Sequence, residues 1–285
     1  MGRGPIVGSE AVRAGHVTRY QLRRDYVPWH KDVYIPRGMA ITPHLRAEAA
    51  WLRSRRRGVL AGFSAAALHG ARWVDPGLPA EIIDANRRRE PGVRGRALSV
   101  AAEEVCVIRG MQVTTAARTA FDLSCDHPLS KAVPALDALA RATDLSIADI
   151  RQVLERHPGR RGIRTAWAAI DLMDAGAQSP KETWLRLVLV RAGLPRPQTQ
   201  IVVHNGDHVP LAYIDMGWED VMVGVEYDGD QHRSDRRQYV KDIKRLELLA
   251  SLGWLIVRVV AEDHPDDVVR RVKEALARRG LNRAA

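Results

Sequence analysis

Three of the six carboxylates in one short stretch, with the histidine that follows them, could do chemistry. Residues 211–232, LAYIDMGWEDVMVGVEYDGDQH, carry Asp215, Glu226, Asp228 and His232. Leu211 to Trp218 alternates and is rich in β-formers, and Val221 to Asp228 does the same. Glu219 and Asp220 lie between the two runs, so a two-residue hairpin is the simplest join, although no glycine supports it. In that register Trp218 faces Val221, Asp215 faces Gly224 and Tyr213 faces Glu226. Opposite residues share a face. Asp215, Glu226 and Asp228 therefore stand on one face, and Ile214, Met216, Trp218, Val221, Val223 and Val225 form the apolar core face. Asp215 and Glu226 become diagonal neighbours, with backbones roughly 7–8 Å apart, and Gly224 leaves space opposite Asp215.

Three like charges on one face repel, and a hard divalent cation relieves that repulsion while keeping several of its waters. Mg²⁺ or Mn²⁺ held by Asp215, Glu226 and Asp228 could activate a water and stabilise charge on a phosphodiester. His232, just past the Asp228–Gly229 turn, could act as general base or acid. The plainer alternatives are a solvated polar face on an exposed hairpin and a structural histidine after a glycine turn.

The flanking elements would have to position these groups. Before the hairpin, Ser179-Pro180-Lys181-Glu182 opens a helix as a capping box, with Pro at the first helical position. Gly193 stops that helix, and QTQIVVHNG reads as a strand. After His232 a helix is expected from about Asp235 to Leu252. Tyr239, Ile243, Leu246 and Leu249 or Ala250 recur on its core face. Arg237, Lys241, Lys244 and Arg245 lie off that face, either solvated or in contact with phosphate, and Asp242 could orient His232 or a basic side chain. WLIVRVVAED is a buried strand, and PDDVVRRVKEALARRG is a closing helix that ends at Gly280.

Asp215, then Glu226-Tyr227-Asp228-Gly229, then His232, then Asp242 in KDIKRLELLASLGW followed by LIVRVV, resembles the PD-(D/E)XK nuclease superfamily. The similar branch is the one containing the very short patch repair endonucleases. The resemblance spans about residues 179–280. It implies a restriction-endonuclease-like mixed sheet flanked by helices, a Mg²⁺-dependent (or Mn²⁺-dependent) DNA endonuclease, and catalytic roles for Glu182, Asp215, Glu226, Asp228 and His232. In this superfamily an acid on the first helix also points at the metal site, which gives Glu182 a second reading. The lysine usual two residues after the glutamate is Asp228 here.

The chain has 285 residues, room for two domains, and its 46% apolar and 27% charged residues suit a globular protein with a core. No apolar run reaches the ~18 residues of a membrane span, and the N-terminus shows no signal-peptide pattern. Cys106 and Cys125 lack CxxC spacing and read as reduced residues, so a cytoplasmic location is expected. Residues 1–120 hold 20 Lys and Arg against 10 Asp and Glu, whereas the rest of the chain holds 24 of each. The net charge of +10 thus sits in the first part, as in a polyanion-binding module or a merely basic surface. Arg87, Arg88 and Arg89, in a turn between strands, could touch phosphate.

In that first part Thr18 caps a short helix, RYQLRRDY, and DVYIPRG reads as a strand. Pro43 starts a helix with Leu45, Ala49 and Leu52 on one face. Ser64 is the expected cap of the next helix, with Gly70 as its stop. EIIDA, VRGRALSV and VCVIRGMQVTT read as strands, and residues 115–175 as amphipathic helices. LAGFSAAALHGA, GMQVTTAARTAFDL, PLSKAVPALDALAR and the PGRRG turn resemble the antitoxin-like, AbiEi-type proteins of abortive-infection systems. The resemblance implies a mostly α (α+β) N-terminal domain with a degenerate winged-helix-like start. The domains expected are therefore residues 1–175, basic and nucleic-acid-binding, and residues 176–285, nuclease-like. DNA is the expected partner, with a homodimer left open and no membrane. The alternative function is a non-catalytic DNA-binding regulator carrying a nuclease-like domain.

Overall fold

A computed structural model describes residues 4–86, 88–204, 209–229 and 236–280, and the side chains of the same residues apart from 236–240. The chain is α/β and divides into two compact units, Met1–Met173 and Asp174–Ala285.

The first unit begins with β1 (Ile6–Val7), α1 (Gly8–Arg13), α2 (Arg19–Asp25), β2 (Tyr26–His30) and β3 (Val33–Pro36). The strands form a three-stranded sheet in the order β1-β3-β2. Thr18 caps α2 as expected, in a reciprocal box with Gln21. β1, α1 and β2 are elements that the sequence patterns did not reveal. Next come α3 (Pro43–Arg53), β4 (Val59–Leu60), α4 (Gly62–Leu68), β5 (Ala80–Ile83), β6 (Val93–Arg96), β7 (Val105–Ile108) and β8 (Met111–Thr114). Five of these strands form a mixed sheet in the order β6-β5-β4-β8-β7. Ser64 does not cap α4: the helix starts two residues earlier, and the buried Ser64 Oγ accepts from Glu81 N–H at 2.9 Å. Gly70 does terminate it, at φ +93°.

Four helices complete this unit: α5 (Ala116–Asp126), α6 (Leu129–Ala142), α7 (Ile147–Arg156) and α8 (Ile163–Asp171). Within GMQVTTAARTAFDL, Thr115 caps α5 and the hydroxyls of Thr114 and Thr119 meet at 2.7 Å. Arg118, 2% exposed, pairs with Glu104 and approaches Asp122, while Arg96 joins Glu81 and Asp126. The polar residues of this stretch thus form a buried ion network, where each charge needs its partner. Both cysteines are free thiols, and burial pushes Cys125 up to about 12.

The second unit contains α9 (Pro180–Arg191), β9 (Gln198–His204), β10 (Pro210–Trp218), β11 (Val223–Asp228), α10 (Arg236–Ser251), β12 (Leu255–Val260) and α11 (Pro265–Arg278). Its sheet runs β12-β11-β10-β9. β9, β10 and β11 are antiparallel neighbours, and β12 lies parallel to β11. This is the mixed sheet flanked by helices expected from the sequence.

The β10–β11 hairpin is not two-residue. Glu219–Val221 form a 3₁₀ turn and Met222 takes φ +53°, so Trp218 pairs with Val223 and Met216 with Val225. A two-residue primed turn needs positive φ at both or the first of its central residues, and Glu219-Asp220 has no glycine there. The longer connection moves the register by two residues. Because the side-chain period is two, Asp215, Glu226 and Asp228 keep the same parity.

The apolar residues do not share one face. Met216, Trp218, Val223 and Val225 pack with Leu185 and Leu189 of α9 and with Val268, Val272 and Leu276 of α11. Ala212 and Ile214 instead pack with Ile201, Val203, Leu249 and Trp254. The change of side occurs between Ile214 and Met216. The paired strand creases at the same level, where Gln200 has φ +53°. On α10, Leu249 is buried, but Ile243 is 38% exposed rather than in the core, because α10 covers the sheet only with its C-terminal half among the residues whose burial is described.

Candidate functional site

Asp215 sits at the crease. Extending the observed pairing by one step brings it directly opposite Glu226, not diagonal to it as the shorter hairpin required. The strands have stopped exchanging backbone bonds there, and Tyr227 N–H donates to Asp215 Oδ2 at 2.9 Å. A side chain thus takes over the ladder at its open end. Asp215 Oδ1 makes no hydrogen bond among the described residues. Burial pushes the Asp215 carboxyl up to about 7 against the pull of that N–H, and nearby Glu182 and Glu226 push in the same direction, opposed by Arg245.

Glu182 reaches this place from the first turn of α9. Ser179 caps the helix, with Glu182 N–H donating to Ser179 Oγ at 3.2 Å and Ser179 Oγ–H to Glu182 Oε1 at 3.0 Å. Glu182 Oε2 accepts from Gln178 N–H at 2.9 Å and from Gln200 Nε2 at 3.3 Å. Glu182 is only 8% exposed, so the capping role and a position beside Asp215 coexist. Gln200 belongs to the site and sequence patterns missed it. With Gln198 and Thr199 beside it in the same strand, it gave no signal that set it apart.

Glu226, 5% exposed, is gripped by Arg245 of α10: Nη1 to Oε1 is 2.5 Å and Nη2 to Oε2 is 2.8 Å. Nη1 also donates to Tyr213 O at 3.1 Å. Arg245 was expected on a phosphate-binding surface; it turns inward instead and is half-buried. Asp242, one turn earlier on α10, adds to the negative field around it. Asp228 lies two residues beyond Glu226 and pairs with Arg258 of β12. His232 and Arg87 lie outside the described residues, as does the Arg237 side chain. Arg88, Arg89, Lys241 and Lys244 are exposed.

The structure thus brings Glu182, Asp215 and Glu226 together and places Asp228 on a neighbouring arginine. Among the described residues, no three His, Cys, Asp or Glu groups converge closely enough to hold a metal. Arg245 occupies both oxygens of Glu226, and Arg258 engages Asp228. The donor chemistry nevertheless fits a hard divalent ion: carboxylate oxygens from adjacent strands, one of them uncommitted on Asp215.

No family model matches the chain. It is 30% identical over 172 residues to the uncharacterized proteins MT2308 and Rv2248 of Mycobacterium tuberculosis, a match that covers 60% of this chain. The match spans 61% of the length of those relatives. Among solved structures, the Rv2827c protein of M. tuberculosis aligns with a TM-score of 0.39 and 18% identity, covering 71% of this chain and 82% of that one.

Proposed function

We propose that the second unit is a metal-dependent DNA endonuclease and that the basic first unit binds the DNA. The observation that carries the reading is the gathering of Glu182, Asp215 and Glu226 at the frayed end of the β10–β11 ladder, with Asp215 pushed up to about 7. A half-buried carboxyl that cannot ionise freely beside two others is a place where a cation lowers the free energy. Asp215 and Glu226 would hold Mg²⁺ or Mn²⁺, with Asp228 joining if Arg258 releases it. The ion would supply Lewis-acid stabilisation of the phosphoryl oxygens when bound. Glu182 and Gln200 would orient groups at the site. His232 is the proposed general base or acid, and its loss should slow single-turnover cleavage by about 10²–10⁴-fold while sparing metal binding.

The deciding experiment is cleavage of supercoiled DNA by the full chain with Mg²⁺, compared with EDTA and with Asp215→Ala. Nicking or linearisation by wild type, lost in both controls, supports the reading. No cleavage under any metal condition, with DNA binding intact, turns the conclusion to the second reading, a DNA-binding regulator. One observation favours that alternative: Glu226 and Asp228 are each paired with an arginine.

A further inference from the structure

The contact between Arg245 and Glu226 is more specific than surface ion pairing. The two Nη nitrogens each donate to one carboxylate oxygen, at 2.5 and 2.8 Å, so the fork takes the two in-plane positions from which a cation would be bound. Glu226 is buried, and the Arg245 side chain is 34% exposed, so the arginine can leave toward solvent while the glutamate cannot. Its second anchor, Tyr213 O, belongs to the neighbouring strand beyond the last paired residues. Around this one guanidinium the field comes first from Glu226 and then from Asp242 and Asp215. Its positive charge sits in the field of these carboxylates and holds one of the two proposed metal ligands.

We propose that Arg245 guards Glu226: it occupies both carboxylate oxygens until a divalent cation displaces it, so that Arg245 and the metal compete for one binding position. This rests on the metal-site reading above and adds its regulation. The guard keeps a buried carboxylate compensated in the resting protein, where an unpaired charge would be strongly destabilising. It also raises the cation concentration at which the site fills. Competition for the same atoms is reciprocal, so removal of the guard must strengthen metal binding.

The test measures Mn²⁺ binding to the full chain, by the electron paramagnetic resonance signal of free Mn²⁺, for wild type, Arg245→Gln and Arg245→Lys. Arg245→Gln should bind Mn²⁺ about tenfold more tightly. Arg245→Lys, a point charge that cannot grip both oxygens in one plane, should fall between the two. An Arg245 that merely stapled α10 to the sheet would lower the melting temperature and leave Mn²⁺ affinity equal or weaker, and that result overturns the guard while leaving the metal site standing. If neither wild type nor the variants bind Mn²⁺, the guard and the metal reading fall together. Should Arg245→Gln not fold, Arg245→Lys decides alone, since tighter binding supports the guard and equal or weaker binding overturns it.

Discussion

Asp215 holds its proton far more tightly in the folded chain than the ordinary value of 3.8 implies, because burial and two neighbouring glutamates penalise its charge. An acid whose folded pKa is raised stabilises the fold relative to its charged form at low pH, and that contribution is lost as pH climbs from about 4 to about 7. In EDTA, Asp215→Asn should therefore match wild type near pH 4 and exceed it by about 2–4 kcal/mol near pH 8, measured by urea unfolding at both pH values. Equal stability of the two proteins at pH 8 would mean the carboxyl is compensated by a group outside the described residues. If the proposed metal site is real, divalent metal should reverse the ranking by stabilising the folded wild type and not the asparagine variant. Glu182 poses a different question at the same scale, since it caps α9 and also faces Asp215. In Glu182→Gln the Ser179 cap to the backbone survives, so the helix should stay, while cleavage should fall by at least about tenfold through the lost charge. A variant that loses helix content as much as activity would make Glu182 a cap alone.

At the level of elements, the site depends on how closely β10 and β11 approach. A Cβ on Gly217 would stand 2.3 Å from Val223 O and 2.9 Å from Gly224 Cα, both backbone atoms that cannot step aside. A Cβ on Gly224 would meet Ile256 Cδ1 at 2.6 Å and Ile214 Cγ2 at 2.8 Å, side-chain tips that can turn away in part. Gly217→Ala should thus cost more than ~3 kcal/mol, and Gly224→Ala about 1–3 kcal/mol, both read from urea midpoints. Gly229, whose Cβ position meets nothing within 4 Å among the described residues, serves as the control and should be near neutral on substitution. If Gly217→Ala proves no worse than Gly229→Ala, the ladder is looser than these contacts require. In the first unit the same logic applies to charge. Arg118→Met would leave Glu104 and Asp122 buried without their shared cation, a loss of about 3–5 kcal/mol.

Across the whole molecule, charge is divided along the unit boundary. Residues 1–173 hold 27 Lys and Arg against 17 Asp and Glu, and residues 174–285 hold 17 of each. Counterion release makes binding by a basic unit steeply salt-dependent. A fragment of residues 1–173 should bind duplex DNA with log affinity falling steeply against log salt, as measured by fluorescence anisotropy, and residues 174–285 should bind weakly with a shallow slope. Equal slopes for the two fragments would contradict the division. No helix among the described residues is long and apolar enough to cross a membrane.

The sequence by itself determined much of the local structure, because caps, glycines and alternation act over a few residues. Thr18 and Ser179 cap the helices they were expected to cap, Thr115 and Ser146 cap α5 and α7, and Gly193 and Gly253 follow their helices at positive φ. Strand parity also survived the wrong hairpin length, since a two-residue slip returns every side chain to its face. The residues that crease a sheet leave no periodic trace. At the level of Gln200 and Asp215, Ile214 joins a different cluster from Met216, and no local pattern of apolar residues distinguishes those two positions. Arg245 shows the same limit from the other direction. Its place off the apolar stripe suggested solvent or phosphate, but a buried Glu226 needs a partner, and α10 lies where it can supply one. Which charge meets which is settled by long-range packing, so only the tertiary structure could show that Asp215 lies within the electrostatic reach of Glu182 and Glu226 and that Arg245 holds Glu226.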